Sequence, residues 1–297
     1  MTYKKIPFRG AATALITPMN ADMTVDYLSL GKIIDQQIDS GINALLILGT
    51  TGEASTLSDD EKEKIILFSA EHIGGRVPMI VGTGTNDTHH TVELSRFAAQ
   101  NGADAVLVVT PYYNKTTDDG LVRHFSYVAD SCEKPVILYN IPSRTGMKIT
   151  LSVYSKLAKH ENIVGVKEAS GDISAAAELI STVGESLALY SGNDSETVPI
   201  MAIGGIGVFS VISNIMPRET TEICKLMLDG KTAAASEISR KLTPLIKALF
   251  SEVNPIPIKS ACSLVGICGS TTRPPLYEIT EKNKAILIKE LKNQGLI

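Results

Sequence analysis

Short apolar runs of β-prone residues recur along this chain at nearly even intervals, each followed by a stretch with helical periodicity. The runs cover residues 10–16, 44–48, 78–81, 105–109, 135–139, 163–167, 187–191 and 206–210. Strands separated by helices pair in parallel, because the crossover returns the chain to the same end of the sheet with a fixed hand. Their unbroken apolarity fits strands covered on both faces. Between them the helical signals are specific. Tyr27, Leu30, Ile34 and Ile38 form one stripe after Thr24 and before Gly41, Ser58-Asp59-Asp60-Glu61 reads as a capping box, and Asn86 or Asp87 caps a helix running through Ala99. Eight such units in about 230 residues predict an α/β fold, a (β/α)8 TIM barrel over residues 1–230. An open doubly wound sheet is the rival, but Gly82-Thr83-Gly84-Thr85-Asn86-Asp87 lacks the third glycine of a dinucleotide fingerprint. Residues 231–297 read as a C-terminal helical appendage, with helices over 231–250, 256–265 and 281–293 broken by Pro255, Pro257 and Pro274-Pro275. It is expected to pack on the barrel or on another subunit.

Composition narrows the partners. A net charge of -4 on 297 residues argues against a nucleic-acid or anionic-membrane surface, which leaves a small-molecule ligand. No apolar stretch approaches the roughly 18 residues of a membrane span, and residues 1–10 carry no long apolar leader core, so the expected location is cytoplasmic. Cys132, Cys224, Cys262 and Cys268 are too scattered for a disulfide framework or a zinc knuckle and read as buried packing residues. His72, His89, His90, His124 and His160 show no metal-ligand spacing, so no metal is expected.

In a barrel of this kind, chemistry collects where strands end and in the loops beyond them. Strict alternation over residues 163–168 puts Ile163, Gly165 and Lys167 on one face and Val164, Val166 and Glu168 on the other. An ammonium facing apolar neighbours loses hydration, its pKa falls, and the free amine becomes a nucleophile for carbonyls. Taken alone, Lys167 reads as a strand-end lysine with its head in water. Its surroundings point elsewhere. The second strand ends in Gly49-Thr50-Thr51-Gly52, whose hydroxyls and amides suit a carboxylate, although a plain helix-capping turn has the same composition. Tyr112 and Tyr113 follow the fourth strand and by default would pack. The fifth ends in Tyr139 and leads to Arg144, a phenol for proton transfer and a guanidinium for a second carboxylate or a surface ion pair. Asp194, after Gly192-Asn193, reads as a helix cap that also fixes the loop. The cluster Gly204-Gly205-Ile206-Gly207 reads as either a phosphate site or a close approach of the eighth strand.

Three stretches also carry a resemblance. Gly49-Thr50-Thr51-Gly52-Glu53, Tyr139-Asn140-Ile141-Pro142-Ser143-Arg144-Thr145-Gly146 and Gly165-Val166-Lys167-Glu168 are similar to the signatures of the dihydrodipicolinate synthase and N-acetylneuraminate lyase family, the pyruvate-dependent class I aldolases. The likeness spans nearly the whole chain, including Pro255-Ile256-Pro257 and Arg273-Pro274-Pro275-Leu276. Paired threonines, paired tyrosines and the arginine resemble the synthase branch; sialic-acid lyases usually carry Ser-Thr and lack the arginine. The resemblance implies that Lys167 forms a Schiff base with pyruvate and that the resulting enamine attacks L-aspartate 4-semialdehyde. The product is 4-hydroxy-tetrahydrodipicolinate, on the diaminopimelate and lysine branch, with no organic cofactor. It further implies a relay of Tyr139, Thr51 and Tyr113, with Tyr113 serving the neighbouring subunit. Thr50 would hold the pyruvate carboxylate and Arg144 that of the aldehyde. Gly192 and Phe209 complete the substrate-binding set, and a homotetramer built as a dimer of dimers is the expected assembly.

One departure stands out. Lysine-inhibited members use a serine after the first signature, two histidines on the next helix, an asparagine and a glutamate after the third strand, and the first tyrosine of the pair. Here Asn86 and Tyr112 remain, whereas the other positions read as Ala54, Asp59, Lys62 and His90, so feedback inhibition by lysine is expected to be weak or absent. Two rival functions stay open: a sugar-acid aldolase such as N-acetylneuraminate lyase, and a non-catalytic binding barrel in which Lys167 pairs with a nearby acid.

Overall fold

A computed structural model describes residues 6–297; the amino-terminal leader reading rests partly on residues 1–5, which lie outside the described residues. Eight parallel strands close on themselves, with spatial order following chain order. They are β1 (Gly10–Ala14), β2 (Ala44–Ile47), β3 (Met79–Gly82), β4 (Ala105–Val109), β5 (Val136–Asn140), β6 (Ile163–Glu168), β7 (Ala188–Ser191) and β8 (Gly207–Ser210). Outside them run α1 (Tyr27–Asp39), α2 (Asp59–Ile73), α3 (Thr88–Gln100), α4 (Asp118–Ser131), α5 (Pro142–Thr145), α6 (Leu151–Leu157), α7 (Ile173–Val183), α8 (Thr197–Ala202) and α9 (Pro217–Leu228). The tail supplies α10 (Thr232–Leu249), α11 (Ile256–Leu264) and α12 (Glu281–Asn293). No helix among the described residues is long and apolar enough to cross a membrane.

Local chemistry sets the helix starts. Both bonds of the capping box are made at α2, Ser58 accepting the Glu61 amide and Glu61 reaching back to the Ser58 amide. Asp87 caps α3 by accepting the amides of His89 and His90. At α1 the cap is Asp26, which accepts the Ser29 amide; Thr24 instead donates its hydroxyl to Asp22.

The barrel interior is filled unevenly. Ala12, Ala14, Ala44, Ala105 and Ala188 face inward and leave room for Tyr139, Tyr190 and Phe209, while most of the larger aliphatic residues form a second core between sheet and helices. Below them Phe8 stacks on Tyr190 at 4.6 Å and meets Phe209 edge-on at 5.3 Å, closing the N-terminal end. The Tyr190 hydroxyl is satisfied by the Phe8 carbonyl at 2.8 Å. Where β8 meets β1, a Cβ on Gly207 would fall 2.0 Å from the Gly10 carbonyl oxygen, so the glycine cluster serves close strand approach rather than a phosphate.

β6 departs from strict alternation. Ile163 joins the outer core with Val166, and Val164 points into the barrel beside Gly165 and Lys167. An irregularity opposite the Val136–Ile137 step inserts one extra residue, pairing Val136 with Ile163 but Ile137 with Gly165. Such a bulge restores the phase one residue later, so Lys167 still faces inward and Glu168 outward.

The helical tail is tied to the first signature turn. Lys259 on α11 and Glu53 form an ion pair with both side chains fully buried, and the Arg273 amide donates to the other Glu53 oxygen at 3.0 Å. Arg273 also clasps Glu61 in a two-pronged pair at 2.6 and 2.7 Å. Cys132, Cys224 and Cys262 are buried as expected, but Cys268 is part-exposed. Removing one member of a buried ion pair leaves the other uncompensated, so Lys259→Met is expected to lower stability by about 3–5 kcal/mol. Thermal and urea denaturation will measure this, and adding Glu53→Gln should recover part of the loss.

Candidate active site

Lys167 lies level with Tyr139 on β5 and Tyr190 on β7. Its Nζ is 4.3 Å from the centre of the Tyr139 ring and 5.3 Å from that of Phe209, and the residue is only 5% exposed. Burial in this aromatic wall depresses its pKa to about 7, with Asp194 opposing and Arg144 reinforcing the fall. A large share of the amine is therefore unprotonated at neutral pH. No carboxylate lies within ion-pair distance of Nζ among the described residues. Glu168 points the other way and is occupied: it accepts Asn140 Nδ2 at 2.9 and 3.0 Å and the Ser170 amide at 2.7 Å. Lys167 therefore forms no close ion pair among the described residues, although Asp194 acts on it electrostatically.

Tyr139 is equally enclosed. Burial pushes its phenol up to about 12, against the pull of Arg144 and of a hydrogen bond with the Thr50 side chain. It thus holds its proton at neutral pH and can lend it. Thr50, rather than Thr51, is the threonine that meets Tyr139. Thr51 is buried, and its hydroxyl oxygen accepts Nδ2 of Asn254 at 2.9 Å. The two threonines thus differ in their contacts: Thr50 meets the Tyr139 phenol, and Thr51 meets Asn254. The turn itself is pinned by Thr17, whose hydroxyl donates to the Gly52 carbonyl at 2.7 Å.

Arg144 sits in α5, a single turn begun by Pro142 and ended by Gly146 at φ 65. Its guanidinium donates to the Asn254 carbonyl at 3.1 Å. Asn254, from the tail, therefore touches both Thr51 and Arg144. No local pattern marks it; only its place just before Pro255-Ile256-Pro257 hinted at a role. Gly192 is wedged against the end of β6, where a Cβ would lie 2.7 Å from that of Ala169, and Phe209 floors the pocket beneath Lys167. Asp194 does not cap a helix. Its Oδ2 accepts the amides of Val211 and Ile212, each at 3.0 Å, and so fixes the chain beyond β8.

A cavity of about 470 Å³ reaches Thr50, Tyr139, Arg144 and Tyr112, with Lys167 packed behind the Tyr139 ring rather than in the cavity lining. The same cavity is also lined by Ala54, Lys62, Asn86 and His90. There the Asp59 carboxylate is already engaged by Lys62 at 3.0 Å and by His90 at 3.3 Å. Tyr113 is not brought to the site of its own chain: it is 92% exposed, on a left-handed backbone at φ 69.

A model of the Dihydrodipicolinate synthetase family matches residues 7–294. The chain belongs to that family. A 4-hydroxy-tetrahydrodipicolinate synthase of Acetivibrio thermocellus is 48% identical over 294 residues, 99% of this chain and 100% of that one. The structure of dihydrodipicolinate synthase from Aquifex aeolicus superposes with a TM-score of 0.95 at 45% identity, covering 97% of this chain and 99% of the other. That of the chloride-inhibited dihydrodipicolinate synthase of Acinetobacter baumannii, complexed with pyruvate, gives 0.96 at 39% identity over 97% and 99%. The family match takes in both the barrel and nearly all of the helical tail.

A lysine whose pKa is depressed on folding weakens the fold wherever the buried group must carry its charge. The unfolded chain binds more protons between about pH 7 and the unfolded value, so the penalty is full below about 7 and fades as pH rises toward 10.5. Lys167→Met should therefore raise Tm by several degrees near pH 6 and by much less near pH 10, checked by melting both proteins across that range.

Proposed function

We propose that this family member condenses pyruvate with L-aspartate 4-semialdehyde to give 4-hydroxy-tetrahydrodipicolinate. The observation that carries the reading is the half-neutral Lys167 amine enclosed beside Tyr139. The amine adds to C2 of pyruvate, and the keto oxygen leaves as water to give a protonated imine. That cation is the electron sink for loss of a methyl proton, so the chemistry asks for neither an organic cofactor nor a metal. The resulting enamine carbon attacks the aldehyde carbon. The amino group of the second substrate then closes on the imine carbon, and the bond to Lys167 breaks.

Tyr139 and Thr50 pass protons during these steps. Because Thr51 accepts a hydrogen bond from Asn254, its own hydroxyl proton is free to hold the pyruvate carboxylate together with amides of the same turn. Arg144, facing the cavity, takes the carboxylate of the aldehyde. Tyr113 is assigned to the site of an adjacent copy: its exposed phenol on a constrained backbone suits insertion across a dimer interface, and two such dimers would make the homotetramer. A cytoplasmic location completes the proposal. Sugar-acid cleavage is the second reading; Arg144 and the two threonines disfavour it.

Incubation with pyruvate and borohydride should add a reduced three-carbon adduct to the peptide containing Lys167, located by mass. A substrate panel should show turnover with the semialdehyde and none with N-acetylneuraminate; no adduct on Lys167 would sink both enzyme readings. Near Ala54 and Asn86 the Asp59 carboxylate is already paired with Lys62 and His90, and the Lys62 charge repels an incoming ammonium. L-Lysine at micromolar concentration should accordingly leave the steady-state rate unchanged.

A further inference from the structure

Asp194 is the buried carboxylate that the reaction as described above leaves unused. It is 5% exposed, and while Oδ2 takes the two amides beyond β8, Oδ1 is buried without a close hydrogen bond among the described residues, the Ser210 side chain giving the carboxylate only partial support. A half-satisfied carboxylate is costly inside a protein unless a cation stands nearby. Asp194 lies close enough to Lys167 for each to shift the charge state of the other. The loop that carries it is bonded to β6 through the Gly192 amide and the Glu168 carbonyl at 2.7 Å, and to the residues just past β8, where Phe209 floors the Lys167 pocket.

We propose that Asp194 is a positioning anion for the Schiff base, held by the Val211 and Ile212 amides so that its free oxygen electrostatically supports a protonated nitrogen on Lys167. This rests on the reading of Lys167 as the imine-forming residue.

The other groups around the pair do not supply that charge. Arg144 is a cation and acts in the opposite sense on Lys167. Tyr139 and Cys224 are each pushed up to about 12, chiefly by burial, and stay neutral. Before substrate arrives, burial moves Asp194 up and Lys167 down, so both lean toward their neutral forms. Conversion of the amine to an iminium creates a cation in the same place, which favours the ionised carboxylate. Electron withdrawal from the pyruvate methyl group depends on that nitrogen keeping its proton, so a carboxyl group fixed in advance, ionising as the iminium forms, supports the step without moving during it.

The discriminating variant is Asp194→Asn, which keeps an oxygen for the two amides and removes the charge. The full-length protein is quenched with borohydride at intervals after pyruvate addition, across roughly pH 5 to 9. Loss of the anion should move the acid limb of imine formation down by about one pH unit, while kcat falls at least about tenfold and KM for pyruvate stays within about threefold. Asp194→Glu should restore the wild-type pH profile in large part. A pH profile for Asp194→Asn that superimposes on the wild type would overturn the proposal, as would failure of both variants to fold, which would make the carboxylate purely structural. Absence of any wild-type adduct on Lys167 would instead remove the Schiff-base reading beneath it.

Discussion

Desolvation of one amine is the constraint on which the site depends. Lys167 faces inward at the level where Tyr139 and Tyr190 also face inward, and Phe209 lies below it. A closed parallel barrel achieves this because every strand contributes one face to the interior and no edge admits water. Small inward alanines on β1, β2, β4 and β7 make the large rings possible, and the rings in turn deny the ammonium its hydration. Stability is given up locally so that a nucleophile exists near neutral pH.

Much of this architecture was legible from periodicity. Each of the eight apolar runs became a strand whose ends fall within two residues of the expected ones, because parallel strands buried on both faces carry an unmistakable apolar signature. Lys167, Tyr139, Arg144 and the Gly49–Gly52 segment were legible too, since strand ends are where this fold exposes polar groups. What escaped was non-local. The bulge in β6 depends on how β5 presents itself, so Ile163 and Val164 exchange faces with no warning in their own neighbourhood. Asp194 looked like a cap because aspartate before a helical pattern usually is one, yet its partners lie 17 and 18 residues away. Thr50 and Thr51 are indistinguishable in sequence, and only the Asn254 contact tells which hydroxyl is committed elsewhere.

The helical tail is the larger lesson. It reads as an appendage, but Asn254 touches Thr51 and Arg144, Lys259 neutralises Glu53, and Arg273 reaches Glu53, Glu61 and the carbonyls of Met23 and Thr56. Apart from the Met23 carbonyl, which lies in the loop after β1, each contact falls on the loop and helix after β2 or on the turn after β5. These are the segments that line the cavity, so the tail stands behind the site as a second supporting layer.

The Lys259–Glu53 pair joins positions 206 residues apart. A chain emerging from the ribosome presents Glu53 early and its counter-charge only near the end of synthesis, and until then that carboxylate has no reason to leave water. The threonine turn beside it therefore gains its buried counter-charge only once α11 has been made. A chain that ends before α11 lacks the cation that neutralises Glu53, so the threonine turn shares the fate of the tail that supports it.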